Sequence, residues 1–166
     1  MGSSASWWAA KVRQFRSHLR ASVAPGERAG LVAWLTPAQL ALFDAMHVAD
    51  RRHGLDVVAT LRADGMDDRE VLLAGLLHDA GKGRTSVVPR VVYALGQAYG
   101  RWIWRVAGIV PPMGAALGRL RVHAERSAEL AAAAGCPVRT VELIRHQDAP
   151  LDPVAGRLLQ LADEAN

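Results

Sequence analysis

Leu76-Leu77-His78-Asp79-Ala80-Gly81-Lys82-Gly83 decides how the rest of this chain is read. An apolar run at helical spacing leads into it (Val71, Leu72, Leu73, Leu76, Leu77), with Asp67 and Glu70 as its expected cap. The stretch is therefore read as the end of a buried helix. A histidine and an aspartate occupy the last turn, and two glycines release the backbone beyond them. In mid-helix, adjacent side chains point about 100° apart and would not share one ligand. At a helix C-terminus they can. Imidazole and carboxylate are the donors of a hydrolytic divalent-cation site. Leu76 and Leu77 would seat the pair at the edge of the core, where charge acts through a lower dielectric.

Outward from this stretch the pattern is helical almost throughout. Thr36-Pro37-Ala38-Gln39 combines a cap, a proline at the first helical position and a glutamine closing the capping box, for a helix to about Met46. A second begins near Ala49 or Asp50, carries His53, Val57, Val58 and Leu61, and ends at Asp64-Gly65. After Pro89 one long pattern runs through Val92, Leu95, Tyr99, Trp102 and Val106 until Pro111-Pro112 stops it. A further helix reaches about Ala134, Pro137 opens one through His146, and Asp152-Pro153 starts the last. Near the start, residues 6–19 form a basic helix that packs on the domain or lies on a membrane surface, followed by a break at Pro25-Gly26. No alternating segment is long enough to argue a sheet. The expected fold is all-α: a single-domain helical bundle over 36–166, with an N-terminal helical extension over 1–35.

At 166 residues and 51% hydrophobic composition, the chain can build a substantial core. Cys136 is alone, so an internal disulfide and a zinc site on paired cysteines are both excluded. No run approaches the roughly 20 apolar residues of a spanning helix. The first residues are small and polar, unlike a secretory leader, and a cytoplasmic location is expected. The net charge of +4 is carried almost wholly by arginine, since Lys11 and Lys82 are the only lysines. That excess suits an anionic partner without choosing between a small phosphorylated molecule and a nucleic acid.

The doublet and its neighbours resemble the HD-domain superfamily of metal-dependent phosphohydrolases, whose pattern is His … His-Asp … Asp. His53, within Asp50-Arg51-Arg52-His53-Gly54-Leu55-Asp56-Val57, matches the first histidine. His78 and Asp79 match the doublet, and Asp163, within Leu161-Ala162-Asp163-Glu164, matches the last aspartate. The likeness covers roughly residues 38–166. It implies an all-helical bundle in which His53, His78, Asp79 and Asp163 hold one divalent ion (Mn, Fe, Zn, Co or Ni). His123 and His146 would serve a second ion, with Asp79 bridging. Some binuclear relatives carry two successive histidines at the later position, where this chain has His146-Gln147. The Gly-Tyr-Pro motif of one cyclic-dinucleotide-cleaving branch is absent.

The resemblance implies hydrolysis of a phosphomonoester or phosphodiester, with nucleotides the broadest substrate class. Asp79 would bind the ion and orient the attacking water. Lys82 would neutralise a phosphoryl oxygen, and Arg51, Arg52 and Arg84 are candidates for holding phosphate. Plainer readings stand beside these. His78 and Asp79 can form a histidine–carboxylate pair capping a helix. His123 can cap its own helix, and Glu142 can orient His146. His47 is the rival for the first histidine. Tyr93, Tyr99, Trp102 and Trp104, interleaved with arginines, either stack on a base or pack helices, and packing is favoured. The alternative function is a non-catalytic helical module that binds a nucleotide or partner, its metal structural. A nucleic-acid-binding protein and a di-iron oxygenase rank below it. Oligomeric state is left open.

Overall fold

The computed structural model describes residues 21–83 and 87–166, and every regular element among them is helical. In chain order these are α1 (Pro25–Val32), α2 (Pro37–Ala45), α3 (Val48–Ala63), α4 (Arg69–Leu77), a single 3-10 turn (Ala80–Lys82), α5 (Val87–Tyr99), α6 (Trp102–Ala107), α7 (Pro111–Arg121), α8 (His123–Ala133), α9 (Val138–Arg145) and α10 (Ala155–Ala165). The all-α expectation holds. The basic helix expected over 6–19 lies outside the described residues.

α4 is the axle of the bundle. It is apolar on all sides, and Val71 through Leu77 are all buried. Such a helix has no face to give to water and must be surrounded. α3, α9 and α10 pack around it, with α2 completing the layer. Burying Leu76 and Leu77 stabilises the fold by about 1.5–3 kcal/mol each. The α3–α4 crossing is close because Gly54 faces the Leu76 carbonyl, where a Cβ would collide with backbone. Leu31 and Leu35 join the same core as Phe43 and Leu61, so α1 and the turn after it rest directly on the bundle.

Several helix ends agree with the sequence. Thr36 caps α2, its Oγ accepting from Gln39 N at 3.3 Å while Gln39 Oε1 accepts from Thr36 N at 3.1 Å. α3 ends at Asp64. Asp152 accepts from the Val154 and Ala155 amides and starts the last helix.

Others differ. Asp68 caps α4, accepting from Glu70 N at 2.9 Å, one residue after the expected Asp67. Pro25-Gly26 opens α1, where a proline at the first position costs no hydrogen bond. The long helix expected after Pro89 begins at Val87 instead, with Pro89 in its first turn, and breaks at Gly100. The φ of 115° at Gly100 is open to glycine and strained for other residues. The helix expected to reach Ala134 is likewise two, divided at Val122 (φ −114°, ψ 15°), which puts His123 in the first turn of α8.

α5, α6 and α7 form a layer of their own, joined to the bundle mainly where α7 meets α8 and the 3-10 turn. Ala116, Leu117 and Leu120 supply the buried side of that join. Tyr93 and Trp104 stack on each other, rings 5.1 Å apart, and Trp104 donates its indole N–H to Tyr93 O. This pair packs α5 on α6, in line with the favoured reading for Tyr93 and Trp104, while Tyr99 and Trp102 are exposed.

Candidate metal centre

α4 ends at His78, so its side chain and that of Asp79 leave the axle at the core's edge, each only 2% exposed. His78 Nδ1 lies 2.9 Å from Gly75 O. A carbonyl can only accept, so Nδ1 carries the hydrogen and Nε2 faces the site. α3 brings His53 from one side and α10 brings Asp163. His53 Nε2 is 2.7 Å from Asp163 Oδ1, and His78 Nε2 is 3.3 Å from the same oxygen. Each of His53, His78 and Asp163 offers a ligand atom, all within 4.8 Å of one another.

Asp79 extends the cluster. Its Oδ1 lies 3.5 Å from His78 Nε2 and 3.8 Å from His123 Nε2. His123 Nδ1 is 2.7 Å from Leu120 O, so this ring too gives its Nδ1 hydrogen to backbone and turns Nε2 inward. Gly81 sets that approach. Its amide donates to Ser127 Oγ at 2.8 Å, and a Cβ at position 81 would stand 2.5 Å from His123 O and 2.6 Å from Ser127 N. Lys82 Nζ reaches Asp79 Oδ2 at 2.6 Å.

Among the described residues, two buried polar atoms in the centre have no hydrogen-bond partner: His78 Nε2 and Asp79 Oδ1, although both lie within ion-pair distance of their neighbours. Unpaired buried groups of this kind cost about 1–3 kcal/mol each and call for an explanation. A divalent cation fits: the donors are imidazole nitrogen and carboxylate oxygen, the His78 and His123 rings are fixed from behind by backbone carbonyls, and carboxylates balance the charge. Without it, the charges lean on one another. Burial pushes the His78 imidazole down, but Asp79 and Asp163 outweigh this and hold it at about 9. Burial pushes the Asp79 carboxyl up, but His78 and Lys82 hold it far below the usual carboxylate range. Asp163 is held low in the same way by His53 and His78. Burial also pulls Lys82 down, and Asp79 and Asp50 more than reverse it.

The remaining candidates are placed elsewhere. His47 caps α3, its Nδ1 accepting from Ala49 N at 3.2 Å, whereas it is His53 whose ligand atom gathers with those of His78 and Asp163. Arg52 is held by Glu27 and Asp56 at 2.6 and 2.8 Å and is a poor candidate for phosphate. Arg51 lies 4.0 Å from Asp44. Arg84 lies outside the described residues. His146 pairs with Glu142 at 3.4 Å, as the orienting reading has it, and lines a shallow groove with Arg139 and Pro150. It is not among the ligand atoms gathered at His53, His78 and Asp163.

The neighbouring Gln147 is the residue that turns toward the doublet. It is buried, its Nε2 lies 3.4 Å from His78 O, and its Oε1 has no partner. Sequence reasoning marked position 147 only as a departure from the two-histidine pattern. It also passed over Asp50, buried one turn before His53, and Ser127, buried one turn after His123. The helical spacing of three or four from a known candidate was the available signal. Compared with protein-family models, curated proteins and solved structures, the chain matches none.

Proposed function

We propose that this chain is a metal-dependent phosphohydrolase of the HD-domain kind, acting on a small phosphorylated molecule, with nucleotides the broadest class. One observation carries the reading: His78 Nε2 and Asp79 Oδ1, buried and without a hydrogen bond among the described residues, converge with His53 and Asp163 on one point. His53, His78, Asp79 and Asp163 would hold one ion. His123 stands on the far side of Asp79, and the placement of His146 favours one ion over two.

A bound divalent cation supplies Lewis acidity, polarising a phosphoryl oxygen and acidifying water near neutral pH. The reaction joins a water oxygen to phosphorus and breaks the ester P–O bond, the leaving oxygen taking up a proton. Asp79 would orient the attacking water by accepting a hydrogen bond from it. Lys82 Nζ, held at Asp79 Oδ2, places positive charge where phosphoryl oxygens would gather. His123 Nε2 faces the same space and can donate to a phosphoryl oxygen when protonated.

The test is metal content of protein purified without added metal or chelator, beside an Asp79→Ala protein, followed by a phosphoester screen with manganese and iron. About one ion per chain, lost in the variant together with turnover, is the expected result. No ion in either protein, even after supplementation, overturns the reading. Nucleotide binding without turnover under every metal moves the chain to the binding-module alternative.

A further inference from the structure

Charge is divided along this chain. Between Asp79 and Glu125 there are seven basic residues and no acidic one. Five of the seven (Arg90, Arg101, Arg105, Arg119 and Arg121) fall within residues 87–121, so the α5–α7 layer is basic with no carboxylate of its own, as residues 1–20 also are. The same layer exposes its apolar side chains. On α6 and the turn after it, Trp102, Val106, Ile109 and Val110 are 61, 59, 78 and 57% exposed. Trp102 and Val106 stand one turn apart on α6, and Ile109 and Val110 extend this apolar stripe into the non-helical turn before α7. Arg101 and Arg105 are exposed beside the stripe, and Arg119 and Arg121 at the end of α7.

We propose that the α5–α7 layer docks the protein on an anionic bilayer, with the α6 stripe entering the headgroup–acyl boundary and the arginines meeting lipid phosphate. An apolar face flanked by cations is the signature of an interfacial helix, and tryptophan and arginine both favour that depth. Among the described residues no helix is long and apolar enough to cross a membrane, so the association is peripheral. Nucleic acid is a poorer occupant. Three of the four stripe residues are aliphatic and offer no ring for a base to stack on. Residues 1–20 are poor cover as well, since they hold four basic and no acidic residues. Two copies meeting through this face would set arginine against arginine.

The test uses the full chain in flotation with vesicles of phosphatidylcholine alone and of an equimolar phosphatidylcholine–phosphatidylglycerol mixture. Binding to the mixed vesicles only, weakened by salt, is expected. Arg101→Ala and Arg105→Ala should each weaken it about fivefold. Ile109→Ser with Val110→Ser should weaken it about tenfold or more. Circular dichroism melts confirm that these surface variants fold. No binding to the mixed vesicles overturns the proposal. So does binding that survives all four substitutions, which assigns it to residues 1–20. Two further results also overturn it: a single-stranded oligonucleotide bound more tightly than the vesicles, with the same arginine dependence, and a dimer in light scattering that Ile109→Ser dissolves.

Discussion

α4 and α6 are both short apolar helices, and they are held in opposite ways. α4 buries every residue from Val71 to Leu77, whereas α6, Trp102–Ala107, buries none. The difference follows from their neighbours. α4 is enclosed by α2, α3, α9 and α10, while among the described residues α6 packs mainly on α5 and α7. The enclosed helix delivers His78 and Asp79 to a fixed place. A helix packed on one side leaves its other side available for contact. Fixed donors and an adaptable cover are the division of labour expected when chemistry needs geometry and recognition needs surface.

The comparison can be broken most directly by cutting one apolar side chain in each helix back to alanine. Leu76→Ala should cost about 2–5 kcal/mol in urea unfolding, because a fully buried side chain leaves a cavity. Val106→Ala should stay within about 0.5 kcal/mol. Similar losses at the two sites would mean that α6 is packed as firmly as α4. Next in size is Gly81→Val, which forces side-chain atoms against the His123 carbonyl and should cost about 1–3 kcal/mol. Phosphoester turnover should fall with it, while metal bound at His53, His78 and Asp163 is kept. Loss of the metal as well would place Gly81's effect on the whole centre.

A smaller effect is expected from pH. In chelator, His78 has a folded pKa of about 9 against an ordinary value of 6.5. A raised pKa contributes stability that is fully present below pH 6.5 and lost as pH climbs through 9. Asp79 and Asp163, both held low, contribute stability above the ordinary carboxylate value of 3.8 that is lost on acidification. The thermal midpoint of the chelated protein should therefore fall between pH 6.5 and 9, and added manganese should flatten that fall. A midpoint rising with pH over this window would contradict the charge arrangement around His78. Smallest of all, Arg52→Ala should leave turnover unchanged and cost no more than about 1 kcal/mol, because its partners Glu27 and Asp56 are partly solvated. A large loss of activity would bring Arg52 back as a phosphate ligand.

Much of the bundle was legible because its signals are local. Thr36 and Gln39 close a box three residues apart, and the leucines of α4 announce a buried helix. The doublet was legible for the same reason. The breaks at Gly100 and Val122 were not: apolar spacing continues straight through both, and only tertiary contacts show where the chain turns. Positions 146 and 147 show the same limit at one-residue scale. Where a helix unwinds, periodicity no longer tells which side chain faces inward, and the structure turns Gln147 in and His146 toward Glu142. Arg52 was misleading in another way, since its partner Glu27 lies 25 residues away, beyond any local pattern.

The contact at Gly81 carries one more consequence. The approach of the 3-10 turn to α8 is set by the Gly81 main chain lying against the His123 and Ser127 main chain, with the Ser127 hydroxyl accepting from the Gly81 amide. A saturation library at this join should therefore accept many residues at exposed neighbouring positions and only glycine at 81.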